Sequence, residues 1–201
     1  MSKKEPKDKQ SIKNQRVRSY FIQAAKDIIL NEGVENVSVR KVADRAGYAF
    51  TTIYNYFKDL NQLLQEVKKV MIQDVLIHTK GEASDKACNL DDIKKTNHTY
   101  SEYFMERPHI FRFFYSYRLN PLEANPPELP DFEKLYHETY RGFVMSGAIK
   151  ESEVPVIAKT IIYAIHGLLA LYFSDNGMTK DIVYDELDKI TEYLLEGRNQ
   201  I

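Results

Sequence analysis

Residues 38–58 read SVRKVADRAGYAFTTIYNYFK, and they contain the most informative structural pattern of the chain. Ser38 can accept a hydrogen bond from a backbone N–H group in the first turn of a helix. The apolar residues that follow it keep a helical spacing: Val39, Val42, Ala43 and Ala46. Gly47 then ends the helix, because glycine adopts a left-handed backbone at little steric cost. The stretch therefore begins with a short capped helix and a turn.

A second short helix is predicted directly after the turn. Ala49, Ile53 and Phe57 are four residues apart, which places them on one inward face. The outward positions are then Thr51, Tyr54 and Asn55, with Phe50 at the boundary. Two short helices joined by a glycine turn form the outline of a helix-turn-helix, whose second helix enters a major groove of DNA.

The outward side chains of this second helix have the chemistry that reads DNA. Asparagine can make two hydrogen bonds to an adenine edge, threonine offers a hydroxyl and a methyl group, and tyrosine hydroxyls bind phosphates. The alternative is an amphipathic helix whose polar face is only solvated. Two aromatic side chains on an exposed face are wasteful without a partner, so we favour DNA binding.

The rest of the chain has helical periodicity, and no segment sustains the two-residue alternation of a half-buried strand. We predict an all-α fold with about nine helices, the first of which begins near Val17. The expected organisation is a flexible basic N-terminal arm at 1–13, a three-helix DNA-binding domain at 14–59, and a helical domain at 60–201.

Charge is divided unevenly along the chain. Residues 1–69 hold 14 Lys or Arg and 8 Asp or Glu, whereas residues 70–201 hold 14 and 21. A basic module gains on a polyanion by releasing counterions, and an acidic module does not. The alternative is chance clustering together with a solvated basic tail, so charge alone does not decide for nucleic acid.

Composition and the termini exclude several other classes of protein. The 201 residues are 43% hydrophobic and 28% charged, which is typical of globular chains. Cys88 is the single cysteine, so neither an internal disulfide nor a multi-cysteine zinc site can form. No apolar stretch follows the basic N-terminus, and Lys159 and His166 interrupt the most apolar tract. We therefore expect a cytoplasmic protein with no membrane partner.

The run from Ala24 to Leu64 resembles the N-terminal DNA-binding domain of the TetR family of transcriptional regulators. The matching residues are Ala25, Gly33, Ser38, Val39, Val42, Ala43, Ala46, Gly47, the run 52–57 (TIYNYF) and Leu63. The resemblance implies that the remaining two thirds form a divergent helical domain for ligand binding and dimerisation. We expect a homodimeric repressor that a small hydrophobic or aromatic effector releases from a palindromic double-stranded operator, with no cofactor and no metal.

Carried over position by position, the resemblance implies two groups of DNA contacts. The base contacts are Phe50, Thr51, Asn55 and Tyr56, and the backbone contacts are Ser38, Arg40, Thr52, Tyr54 and Lys58. The chain departs from the family at Ala49, where a Ser or Thr cap is usual, at the pair Phe50-Thr51, and at Leu60, where a Lys is usual. We expect the basic stretch Lys3 to Arg18 to compensate by reaching the DNA backbone or a minor groove.

Aromatic residues are concentrated in the middle of the chain. Residues 100–143 contain 12 of the 24 Phe and Tyr residues. In a TetR-like protein this region would line the effector cavity, where stacking suits a flat apolar or cationic molecule. The candidate ligand-binding residues are Tyr103, Phe104, Phe111, Tyr140 and His166, and the alternative for each of them is ordinary core.

The last two predicted helices carry apolar residues on most sides, so they need cover from more than one direction. We expect a two-fold four-helix interface formed by Ile157, Ile161, Ile165, Leu168, Tyr172, Val183, Leu187, Ile190 and Leu194. The alternative is a helix that is fully internal to a monomer. A dimer also suits DNA reading, because two recognition helices about 34 Å apart meet successive major grooves.

No catalytic pattern is visible in the sequence. The five histidines are scattered, His137-Glu138 lacks the second histidine of a zinc protease, and the eight glycines form no phosphate-binding loop. We expect no enzymatic activity. Two other functions stay open: an architectural or cell-division DNA-binding dimer without an effector, and a protein-interaction module that has no sequence preference for DNA.

Overall fold

The structure, a computed structural model, describes residues 5–80, 89–121, 130–175 and 177–197. Within these ranges the chain forms eight α-helices and three short 3₁₀ segments, and no strand. The α-helices are α1 Glu5–Glu32, α2 Val39–Ala46, α3 Leu60–Lys80, α4 Leu90–Met105, α5 Pro108–Tyr115, α6 Phe132–Met145, α7 Val154–Phe173 and α8 Lys180–Leu195. The 3₁₀ segments are Val34–Asn36, Phe50–Asn55 and Glu151–Glu153. The prediction of an all-α fold is confirmed.

The chain divides into two compact units, each made of two stretches of sequence. Unit 1 consists of Met1–Asp74 and Arg107–Leu129, and unit 2 consists of Val75–Glu106 and Pro130–Ile201. The expected domain boundary after residue 59 does not coincide with this division. Unit 1 also includes the first part of α3, which two ion pairs join to α1, and all of α5, which packs on α1.

The core of unit 1 is built around Phe21 of α1. Its ring lies 6.5 Å from the ring of Phe57, edge to face, 5.3 Å from that of Tyr48 and 5.8 Å from that of Tyr56. Other buried side chains of this unit are Ala25, Ile28, Ile29, Val42, Ala43, Ile53, Leu63, Leu64, Val67 and Met71. Burial of each large side chain stabilises the unit by about 1.5–3 kcal/mol, which holds α2 and α3 against α1.

Helix α1 is longer than the sequence pattern predicted. It begins at Glu5 rather than near Val17, so residues 5–13 of the expected flexible arm are helical, and residues 1–4 of that arm lie outside the described residues. Apolar periodicity detects only the part of a helix that packs, and the added turns are polar. Their lysines and glutamines have good helix propensity, and Pro6 is tolerated in a first turn.

Unit 2 is a bundle in which α4, α7 and α8 pack together and α6 packs on α7. The Asn89 side chain accepts a hydrogen bond from the Asp92 backbone N–H at 2.9 Å, and the Asp92 carboxylate accepts one from the Asn89 backbone N–H at 3.0 Å. This capping box begins α4. Inside the bundle, the buried Asn97 amide donates to the Thr191 hydroxyl at 3.1 Å, which satisfies two polar groups between α4 and α8.

Candidate nucleic-acid interface

The first helix of the predicted helix-turn-helix, α2, begins and ends as the sequence indicates. The Ser38 side chain accepts a hydrogen bond from the Lys41 backbone N–H at 3.2 Å. Gly47 has a φ of 77°, and the following N–H of Tyr48 donates to the Ala43 carbonyl at 2.9 Å. The left-handed glycine therefore stops α2 and turns the chain, as expected for this motif.

The second helix of the motif is a 3₁₀ helix, Phe50–Asn55, and this changes one inward position. Ile53 and Phe57 are buried as predicted, but Ala49 is exposed. Ala49 precedes this helix as its N-cap, with an extended backbone (φ −64°, ψ 141°). Helical spacing therefore does not place Ala49 on the face of Ile53. The prediction of Ala49 as a core residue is wrong for this reason.

The predicted DNA contacts lie together on unit 1, and most of them are exposed. We call this surface the candidate DNA face; it consists of Ser38, Arg40, Phe50, Thr51, Thr52, Tyr54, Asn55, Tyr56 and Lys58. All are exposed except Thr52 and Tyr56, which are half-buried. Phe50 and Tyr54 expose 48% and 54% of their surface, which is unusual for aromatic side chains in a folded unit.

Some cations in and near α2 are held in ion pairs, whereas others can bind a phosphate. Glu32 pairs with Lys41 and, at 3.0 Å, with Arg45. The hydrogen bond from Lys41 lowers the pKa of Glu32. Within the described part of the chain, Arg40 and Lys58 form no ion pair. The Arg40 guanidinium instead lies 5.8 Å from the centre of the Phe50 ring. These two cations can therefore bind phosphates without breaking an internal ion pair.

Two further tyrosines adjoin the candidate DNA face, and the sequence reasoning missed both. Tyr20 is exposed on α1, and its ring stacks on that of Tyr48 with 6.4 Å between the centres. Tyr48 occupies the turn between α2 and the 3₁₀ helix. The spacing of Val17, Phe21 and Ala24 leaves Tyr20 off the buried face, and this signal could have identified it.

Four of the five predicted ligand-binding residues lie in unit 2. Tyr103, Phe104 and Tyr140 are buried and His166 is half-buried, whereas Phe111 belongs to unit 1, where its ring centre is 5.0 Å from that of Tyr115. The Phe104 ring packs edge to face on Tyr103 at 5.5 Å. Phe104 is fully buried, so its ring fills core in this structure.

A hydrogen-bonded pair borders these rings in unit 2. The Tyr100 hydroxyl lies 2.9 Å from Nε2 of His166, and the Tyr100 ring packs edge to face on Phe104 at 5.1 Å. Burial lowers the pKa of His166 to about 4, so the imidazole is neutral at pH 7. Tyr100 was not among the predicted ligand residues, although it is the first aromatic residue of the ring-rich stretch.

Five of the nine predicted dimer residues are core of unit 2, which corrects the assignment of those five, whereas the other four stay a prediction. Ile157, Ile161, Ile165, Val183 and Leu187 are buried inside unit 2, and Leu168, Tyr172, Ile190 and Leu194 are half-buried. The exposed side of α7 instead carries Val156, Lys159, Thr160, Tyr163, Gly167, Ala170 and Leu171. Because α7 is apolar on most sides, its periodicity could not tell which side the chain itself covers.

Helix α7 lies in the most apolar segment of the described residues. Glu151–Phe173 is the one segment of the described residues that is long and apolar enough to cross a membrane by length and composition, with a mean hydropathy of 1.8 over its most apolar window. A third of that window is buried inside the chain. Its buried side is the core stripe of unit 2, as in the central helix of a bundle.

Comparisons with known proteins agree with the helix-turn-helix assignment. Residues 21–67 match the family model described as bacterial regulatory proteins, tetR family. That range spans the end of α1, all of α2, the 3₁₀ helix and the first turns of α3. No curated protein matches the chain.

Solved structures match nearly the whole chain. RolR in complex with its ligand resorcinol is 16% identical with a TM-score of 0.62, over 92% of this chain and 97% of that one. A putative TetR-family regulator from Syntrophomonas wolfei is 18% identical with a TM-score of 0.63, over 90% and 96%. A protein of unknown function from Rhodococcus sp. RHA1 is 16% identical with a TM-score of 0.66, over 90% and 96%. The N-terminal part of the chain therefore matches the tetR family of bacterial regulatory proteins, and the chain as a whole shares the fold of these solved structures.

Proposed function

We propose that the chain is a cytoplasmic transcriptional repressor that binds a palindromic operator as a homodimer and leaves it when a small aromatic effector binds unit 2. The observation that carries DNA binding is the candidate DNA face. Its exposed side chains protrude from a capped helix-turn-helix that Ile53 and Phe57 anchor in the core of unit 1. No enzymatic activity is part of this proposal.

Side chains of the candidate DNA face have two roles in this proposal. Thr51 and Asn55 contact base edges, because they are exposed on the 3₁₀ helix and have donors and acceptors that match them. Arg40, Tyr54 and Lys58 contact phosphates and hold the helix in register. Tyr56 has less freedom to reach a base, because its ring packs on Phe21.

Selection of sites from random duplex DNA with the full-length protein tests this function. We expect a palindromic winner, and Asn55→Ala should weaken binding by about 1–3 kcal/mol and relax the preference at one base pair of each half-site. Binding that is indifferent to base order would overturn the proposal.

A matched pair of hydroxyl deletions tests the phosphate role of Tyr54. Tyr54 and Tyr193 are both exposed, at 54% and 60%, but Tyr193 lies on α8 of unit 2. Tyr54→Phe should lower the affinity for selected and random duplex alike, because a phosphate contact carries no sequence information. Tyr193→Phe should change neither affinity. Equal effects of the two substitutions would contradict the assignment.

The homodimer is supported by the exposed stripe of α7. Tyr163 exposes 68% of its surface, and Val156 and Leu171 are also exposed on the same side of the helix. A Cβ built on Gly167 meets no atom within 4 Å, so a second helix can approach the backbone closely there. An apolar stripe of this length requires a cover, and a two-fold related copy of α7 supplies an equally apolar one.

Sedimentation of charged variants tests this interface. Tyr163→Glu should convert a dimer into a monomer, because each two-fold contact would bury two unpaired carboxylates. Ile77→Glu is the control, since Ile77 is similarly exposed but lies on α3. A monomeric parent protein, or equal dissociation of both variants, would overturn the α7 interface.

The effector proposal depends on the rings of unit 2. The half-buried ring of Tyr100, beside the buried Tyr103 and Phe104, offers a stacking surface, and the neutral His166 with its Tyr100 partner offers a polar end for a hydroxyl group. RolR, which shares the fold, is described in complex with resorcinol, a small aromatic molecule. We therefore assign a planar aromatic ligand with a polar substituent.

A panel of phenols and benzoates, resorcinol included, tests this assignment. A true effector should raise the melting temperature of the protein and weaken operator binding by the same coupling free energy. If the protein binds DNA and no compound of the panel weakens that binding, an architectural protein without an effector is favoured instead.

A further inference from the structure

We propose that the first turns of α1 form a second phosphate-binding surface that continues the candidate DNA face along the duplex. This inference rests on the proposed DNA binding and adds a contact region to it. The region consists of the helical residues that precede Val17, with Lys13 and Arg16 as its described cations.

The described side chains of the α1 extension lie outside the core of unit 1. The helix begins at Glu5, residues 11–16 are all exposed, and Val17 is the first buried side chain among those described. Twelve helical residues rise about 18 Å along the axis. Good helix propensity gives unpacked turns of this kind only marginal stability, so a bound partner would stabilise them further.

The cations of the extension differ from those that follow them on the same helix. In the core-packed part of α1, Arg18 pairs with Glu66 at 3.1 Å and Lys26 with Asp74 at 2.6 Å. Within the described part of the chain, Lys13 and Arg16 form no ion pair. Arg18 and Lys26 thus hold α3, whereas Lys13 and Arg16 are exposed to solvent.

Register places the free cations on the side of α1 that meets the candidate DNA face. Lys13, Arg16 and Tyr20 are separated by three and four residues, so they form one stripe along the helix. Tyr20 ends the stripe by stacking on Tyr48, directly before the 3₁₀ helix. A positive stripe that runs into a DNA-reading helix fits the phosphates of the same duplex, because duplex DNA carries one charge per about 1.7 Å.

The salt dependence of DNA binding tests this surface in the full-length protein. The variant is the double substitution Lys13→Gln and Arg16→Gln, measured on the selected duplex and on a random duplex of equal length. The control is Lys95→Gln with Arg141→Gln, which removes two exposed positive charges from unit 2. Circular dichroism and the melting temperature should not change, because all four side chains are exposed.

Loss of two phosphate contacts should lower the slope of log K against log salt by about 1.8 and weaken binding about 30-fold near 0.15 M salt. The loss should be equal on both duplexes, and the control should retain the parent slope.

If the parent protein binds DNA and the double variant keeps the parent slope, the inference is overturned while the proposed function stands. The inference is also overturned if the control variant loses as much as the test variant, because the effect is then one of net charge. A parent protein that binds no duplex overturns both proposals.

Discussion

The spacing of apolar residues predicted the buried side correctly for the helix-turn-helix of unit 1 but not for the helix α7 of unit 2. In the 3₁₀ helix, Ile53 is buried and its polar neighbours Thr51 and Asn55 are exposed, as the pattern indicated. In α7, Ile157, Ile161 and Ile165 were assigned to an interface and are core. In an amphipathic helix, the difference between polar and apolar residues thus shows which side is exposed. A helix that is apolar on two sides lacks this difference.

The largest expected effect separates two phenylalanines of unit 1. Phe57→Ala should cost about 3–5 kcal/mol of unfolding free energy, because a fully buried ring leaves a cavity in the core. Phe50→Ala should cost less than about 1 kcal/mol, since it removes an exposed ring and its contact with Arg40. Denaturant titration measures both, and similar losses would show that Phe50 is also a core residue.

The same comparison on α7 tests the corrected interface. Ile161→Ala should destabilise the protein by about 2–5 kcal/mol, because Ile161 is buried within unit 2. Val156→Ala should leave the unfolding of a dilute monomer within about 0.5 kcal/mol of the parent, since Val156 is exposed on the other side. Calorimetry in a Tyr163→Glu background measures the unfolding of the monomer alone. If Ile161→Ala has no effect in that background, Ile161 is an interface residue rather than a core residue.

A pH titration of stability tests the environment of the half-buried His166 imidazole in unit 2. Folding lowers the pKa of His166 from 6.5 to about 4, so below pH 6.5 the unfolded chain binds a proton that the folded chain does not. Stability is therefore unaffected above pH 6.5 and falls as the pH drops toward 4. Between pH 7.5 and 5.0 this should amount to about 2 kcal/mol. The substitution His166→Gln, which can still bond Tyr100, should lose less over that interval, and an equal loss would contradict the shift.

The smallest expected effect concerns the start of α2. Ser38→Ala should destabilise unit 1 by about 1 kcal/mol, because the Lys41 backbone N–H loses its cap. Ser152→Ala, an exposed position in the segment Glu151–Glu153, is the control and should have almost no effect. If the operator affinity of the Ser38→Ala variant falls while its stability does not, the hydroxyl acts on DNA rather than as a cap.

Much of the candidate DNA face could be predicted because its determinants are local. The cap at Ser38, the left-handed Gly47 and the spacing of Ile53 and Phe57 each act within a few residues of chain. Asp59 caps the start of α3 in the same local way, since its carboxylate accepts a hydrogen bond from the Gln62 backbone N–H at 2.8 Å. The Gln62 side chain accepts a hydrogen bond from the backbone N–H of Lys58.

The sequence alone determined that the chain is helical, that residues 38–58 form a helix-turn-helix and which polar residues that motif displays, because hydrogen bonds and spacing within one segment dictate these features. Tertiary structure decided which side of α7 is covered, that α1 continues as a helix to Glu5, that Tyr20 meets Tyr48, and that the second helix of the motif winds as 3₁₀. These features depend on which elements pack beside a segment, or on helix propensity in turns that do not pack. The pattern of apolar residues along the sequence reports neither of these.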